Sequence, residues 1–175
     1  MSSAVYSSDA PRVLVTFTDI LGTADTITIY RTADGRTEEV RGGTDLAAET
    51  PSLDDYLRLR IVAGLTPKSE TAAIAGLPGT WFAVVVRLGG RAVGMGRIIG
   101  DGGLFFQIVD MAVEPEHQGR GLGKAIMAAL MDRLRRDARG AYVSLIADGE
   151  ANRLYAQYGF EPTTPKSIGM AQVIR

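Results

Sequence analysis

Apolar and polar residues change period several times along this chain, and each change marks an element. Val13-Leu14-Val15-Thr16-Phe17 and Thr26-Ile27-Thr28-Ile29-Tyr30-Arg31 are β-branched and alternating, and Asp34-Gly35 before Arg36-Thr37-Glu38-Glu39-Val40 has the chemistry of a hairpin turn. Two or three strands are predicted here. The pattern breaks at Arg41-Gly42-Gly43-Thr44. Pro51-Ser52 then predicts a helix with Ser52 as N-cap, a stripe of Leu53, Tyr56, Leu57 and Ile61, and Gly64 as its stop. Thr66-Pro67 predicts a second short helix through Ile74, ended by Gly76 and Pro78.

Three strands come next. Trp81 to Leu88 is a continuous apolar run, Gly89-Gly90 turns it, Ala92 to Ile99 returns, and Asp101-Gly102-Gly103 turns again into Leu104 to Val113. This is an antiparallel meander. A helix of about 121 to 138 follows, with Ile126, Leu130 and Leu134 on one stripe beside Met127 and Met131, and it ends at Gly140. Ala141 to Ala147 is a strand reached by a helical crossover, so it runs parallel to the strand before the helix. Asp148 to Tyr158 reads as a helix with Gly159 at its C′ position, and the tail from Phe160 should hold one or two short strands.

Composition bounds what this can be. At 175 residues and 46% hydrophobic, the chain can bury one good core. We place a β-rich extension at 1–44 and the main domain at 45–175. The extension cannot form its own core in about 40 residues without disulfides or metal. It must pack on something, and we read a homodimer through this segment, with fold-back onto the main domain as the alternative. A net charge of −1 offers no positive field to nucleic acid, and Arg133, Arg135, Arg136 and Arg139 sit where cations complement a helix C-terminus. The lack of cysteine and the single histidine remove thiolate chemistry and argue against a bound metal. No membrane span or signal peptide is visible, so a cytoplasmic protein is expected.

The junction between the third meander strand and the long helix carries the chemistry. Gly119, Gly121 and Gly123 alternate just where the helix starts, so a backbone without Cβ atoms can close on a ligand that also meets free N–H groups and the positive end of the helix dipole. Phosphate is the expected guest. A nucleoside-triphosphate loop fails, because Gln118 stands at its first glycine and Ala125 at its hydroxyl position. The dinucleotide fingerprint fails as well, on the spacing after Gly121.

Gln118-Gly119-Arg120-Gly121-Leu122-Gly123 does match Gln/Arg-x-x-Gly-x-Gly/Ala, and Leu154-Tyr155-Ala156-Gln157-Tyr158-Gly159-Phe160 is like Leu-Tyr-x-x-x-Gly-Phe. With both motifs, and from about Pro51 to the C-terminus, the chain resembles the GCN5-related N-acetyltransferases (GNAT). The resemblance implies the acyl-CoA N-acyltransferase fold, an α/β architecture on a mixed sheet, here with an extra N-terminal β segment. It implies acetyl-CoA as co-substrate and an amine as acceptor. Gln118, Gly119, Arg120, Gly121, Leu122, Gly123 and Lys124 would bind the pyrophosphate, with Arg120 and Lys124 either pairing with phosphates or merely solvated. Backbone N–H groups at Met111, Ala112 and Val113 would face the carbonyl oxygen, and Tyr155 would give its proton to the departing thiolate. A domain that binds acyl-CoA without turnover is the rival reading.

The base is open on the residues alone. Asp110 is a carboxylate in an apolar run, so it needs a polar partner or a raised pKa; it is either the base or a carboxylate bonded to a loop or an arginine. Glu114 is the next candidate, and a water chain could replace either. His117 is expected to face solvent near the phosphates. Members of the family commonly carry asparagine where this chain has Asp148, which we read as a helix cap, and Asn152 could supply an amide to the cofactor instead. The resemblance has the acceptor site shaped by 56–75 and 162–169. There Arg58, Arg60 and Lys68 are read as surface cations, with contact to an anionic acceptor as the alternative.

Overall fold

The computed structural model describes residues 12–18, 24–30 and 44–173. Strands β1 (Arg12–Thr18) and β2 (Ala24–Tyr30) pair antiparallel as a ribbon of their own. The turn expected at Asp34-Gly35 and the strand after it lie outside the described residues.

The main sheet has the order β3 (Thr44–Ala47), β4 (Phe82–Leu88), β5 (Arg91–Gly100), β6 (Phe105–Val113), β7 (Tyr142–Leu145). Neighbours run antiparallel up to β6, and β7 is parallel to β6. The meander and the crossover strand are those expected. β3 falls where the sequence suggested only a break, because four residues are too few to show alternation; buried Leu46 anchors it in the core.

Helix α1 (Leu53–Val62) starts as predicted, with the Asp55 N–H donating to Ser52 Oγ at 3.2 Å. Its buried face differs. Tyr56, Leu59 and Arg60 turn inward, while Ile61 is 62% exposed, since it lies across the helix from Tyr56. Helix α2 (Glu70–Gly76) begins later than Thr66-Pro67 suggested, because the Ser69 hydroxyl takes the capping bond from the Ala72 N–H. The Thr66 carbonyl is held by Arg60 instead.

Helix α3 (Leu122–Asp137) buries Ile126, Met127, Leu130 and Leu134 against one face of the sheet, each such side chain contributing about 1.5–3 kcal/mol. Helix α1 covers the other face with Tyr56 and Leu59 over Val85 and Met95. The backbone of β1 also comes within 8 Å of α3. Helix α4 (Asn152–Ala156) is shorter than expected, being entered by a 3-10 turn at Gly149–Ala151 and left through Gly159 at φ +87°.

Beyond Gly159 the described tail forms no strand, contrary to expectation. Pro162 and Pro165 cannot donate to a ladder, and Ile168, Met170 and Val173 stay exposed. Among the described residues no helix is long and apolar enough to cross a membrane.

Candidate active site

Two distortions of β6 make the site. The first is a bulge against β5: Met95 pairs with Ala112 but Arg97 with Val109, so Asp110 and Met111 together face Gly96. Asp110 takes φ +57°, the one positive φ at a non-glycine residue among those described. Gly96 is required opposite the bulge, because a Cβ there would sit 2.5 Å from Ile126 Cγ2 and 2.8 Å from Met111 Sδ.

The second distortion is a parting of strands. β7 pairs with β6 only from Phe105 to Ile108, after which Val109 to Val113 runs on without a partner on that side. The opening is a cleft of about 340 Å³, walled by Met111, Ala112 and Val113, by Gln118, Gly119, Gly121, Leu122 and Gly123 of the loop, and by Ala151, Leu154 and Tyr155 beside α4.

The loop presents a backbone that can meet an anion. Gly119 and Gly121 take φ +74° and +84°, conformations strained for any residue with a Cβ, and Gly121 is the N-cap of α3 without a side-chain cap. No acidic residue stands in the first turn of α3, so its N–H groups and dipole are left for a ligand. Gln118 Nε2 donates to the Val113 carbonyl at 3.0 Å and ties the loop to the strand end. A pyrophosphate fits this donor set. Arg120, Lys124 and Asn152 are exposed and do not line the cleft. The Lys124 carbonyl instead accepts from Tyr158 Oη at 2.9 Å, fastening the end of α4 to α3.

On the far side of Tyr155 lies a cavity of about 890 Å³. Met111, Gln118, Ala151 and Tyr155 line both spaces, so cleft and cavity meet there. Burial, and then the charge of Asp148, push the Tyr155 phenol above its ordinary pKa. It is therefore a protonated phenol at neutral pH. Asp148 lines the cavity too, but its carboxylate caps neither the 3-10 turn nor α4, contrary to expectation. The helix begins one 3-10 turn after it, which leaves that side chain uncommitted to the backbone.

The two carboxylates considered as bases are both held by arginines. Asp110 is gripped by Arg60 and by Arg97, the latter at 2.7 Å, with all three side chains buried. Glu114 is buried beneath Arg58 and Arg91 and does not line the cavity. His117 is largely covered rather than facing solvent, because its Nε2 turns back to within 3.8 Å of Glu114 Oε2 and 3.6 Å of Glu116 Oε1. These three residues stand close enough to share a cation, but Arg58 and Arg91 already supply positive charge at Glu114, which opposes one.

Some lining residues were not expected. Arg60 is no surface cation: it lines the cavity, donates to the Thr66 carbonyl at 2.9 and 2.6 Å, and lies 5.7 Å from the centre of the Tyr56 ring. Arg97 lies 5.4 Å from the same ring and was not singled out at all. Its signal was there, a cation in the apolar strand Gly94-Met95-Gly96-Arg97-Ile98 facing a lone carboxylate in the next strand. No residue of 162–169 lines the cavity.

The profile of the acetyltransferase (GNAT) domain family matches residues 79–162. A protein of meticillin-resistant Staphylococcus aureus described as a probable acetyltransferase is 44% identical, with a TM-score of 0.72 over 75% of this chain and 99% of that one. A Xanthomonas campestris protein described as belonging to the GNAT family is 31% identical, with a TM-score of 0.59 over 73% and 93% of the two chains. The chloroplastic GCN5-related N-acetyltransferase 2 of Arabidopsis thaliana is 38% identical over 80 residues, which are 46% of this chain and 31% of that protein. The chain thus spans well under half the length of the curated relatives it matches.

Proposed function

Because the chain belongs to the GNAT family of acetyltransferases, we propose that it moves an acetyl group from acetyl-CoA to a primary amine of a small molecule or protein by direct attack. The observation that carries this reading is Tyr155, a protonated phenol at the one place where the anion-binding cleft and the second cavity meet.

Acetyl-CoA held in the cleft would supply a thioester carbonyl open to an amine and a thiol as leaving group. The backbone of Gln118, Gly119, Gly121, Leu122 and Gly123 would hold the pyrophosphate, with the N-terminus of α3 adding its dipole. Backbone N–H groups along Met111 to Val113 would steady negative charge on the carbonyl oxygen. Tyr155 gives its proton to the departing sulfur, and burial keeps that proton in place at neutral pH. Asp148 takes the proton from the amine. It is the lining carboxylate that no arginine neutralises, whereas Asp110 and Glu114 hold arginines in position.

Calorimetry with acetyl-CoA, followed by thiol release with a panel of amines, tests the proposal. Binding together with amine-dependent thiol release supports it. Binding without thiol release for any amine overturns it.

A further inference from the structure

The charges lining the 890 Å³ cavity do not balance, and they are not evenly spread. Arg60, Lys68 and Arg97 face two carboxylates, Asp110 and Asp148. Asp148 acts electrically on Tyr155, at the end shared with the cleft. Lys68 and Arg97 stand at the opposite end, where with Tyr56 and Gly76 they also line a side pocket of about 260 Å³ under α2. Arg60 joins them through Asp110, which it shares with Arg97, so three cations gather around one carboxylate.

Lys68 stands exposed at the rim, but Arg60 and Arg97 are buried against the single charge of Asp110, and a surplus of buried positive charge is unfavourable unless a ligand completes it. The two guanidinium groups are also fixed. Arg60 is held by the Thr66 carbonyl, Arg97 by Thr80 Oγ1 at 2.9 Å, and both lie by the Tyr56 ring. Each has more N–H groups than these contacts and Asp110 use. Fixed arginines with spare donors are suited to a carboxylate, and fixing them beforehand removes the ordering cost of binding one.

Resting on the transfer reaction above, we propose that the acceptor is a small amine that also carries a carboxylate, an amino acid in the broad sense. Its amine lies at the Tyr155 and Asp148 end, and its carboxylate lies toward Arg60, Lys68 and Arg97. The zwitterion is the charge complement of the cavity. An acceptor with a second cation in place of the carboxylate meets repulsion at the far end.

The test compares matched pairs on the intact chain. Thiol release is measured with the standard amino acids and with their methyl esters, and binding of the N-acetyl amino acids and of their methyl esters is measured on protein saturated with CoA. The expected result is at least ten-fold higher kcat/KM for the best free acid than for its ester, the same preference in binding, and a several-fold smaller preference in Lys68→Met. That variant changes a side chain exposed at the rim, so folding is not at stake as it is for Arg97→Gln. Equal or better use and binding of the esters overturns the inference while the transfer reaction stands. If no amine releases thiol but the N-acetyl acids still bind over their esters, the transfer reaction fails and the carboxylate site stands. If neither thiol release nor a binding preference is seen, both fail.

Discussion

Arg97 Nη1 donates to Asp110 Oδ2 at 2.7 Å across the β5–β6 bulge, with both side chains 7% exposed. The same carboxylate takes Arg60 on its other oxygen, so one negative charge holds two buried positive ones. Asp110→Asn removes it and leaves both guanidinium groups uncompensated, at a cost of about 3–5 kcal/mol. For a chain of this length that lowers Tm by roughly 6–20 °C. Thermal unfolding of the variant checks it. A variant as stable as wild type, with a flattened pH–rate profile, would return Asp110 to the role of base.

Gly121 sits at φ +84° as the N-cap of α3. Gly121→Val forces a side chain into the loop in a strained conformation and obstructs several N–H groups together. Acetyl-CoA affinity should fall at least ten-fold, which is about 1.4 kcal/mol. Calorimetry on the folded variant decides it, and unchanged affinity contradicts the assignment of the loop.

Packing behind the bulge is equally specific. Gly96→Ala places a methyl 2.5 Å from Ile126 Cγ2, in a core with no room to give, and should cost about 1–3 kcal/mol by overpacking. Since Met111 Sδ is the second neighbour, the change should also disturb the cleft wall. A chemical denaturation curve superimposable on wild type would show that the close approach is not tight.

Burial raises the pKa of Tyr155 above 10.0, with Asp148 adding to the effect. In the proposed reaction the protonated phenol is the form that donates, so its contribution to the rate should be complete below pH 10 and be lost only as pH rises through the shifted value. The wild-type rate should show no alkaline loss assignable to this group before pH 10. An alkaline limb below pH 9 that disappears in Tyr155→Phe would mean the opposite shift. Folding obeys the same sign: Tyr56, Tyr155 and Tyr158 are all raised, so their share of stability is intact below pH 10 and fades above it.

Much of the fold is legible in the sequence, and the reasons are local. The meander, α3 and the glycine loop each carry a period or a turn chemistry within a few residues, and the Ser52 cap is written in Pro51-Ser52-Leu53. The family resemblance pointed to Met111 to Val113, and these residues line the cleft. What escaped depends on neighbours distant in sequence. Whether Arg60 meets water or Asp110 is set by the bulge fifty positions later, and Ile61 rather than Arg60 looks like the core residue until that partner is known. β3 has too few residues for a period, and Asp148 looks like a cap until the 3-10 turn after it is seen. His117 likewise reads as solvent-facing until Glu114 is placed beneath it.

The most direct measurement is single-turnover thiol release from acetyl-CoA by wild type and by Tyr155→Phe, with acetyl-CoA binding followed in parallel. The account predicts that both proteins bind the co-substrate equally and that the variant turns over about 10²–10⁴-fold more slowly, because the thiol then leaves without its proton donor. Equal turnover by the two proteins, with chemistry rate-limiting, would contradict it.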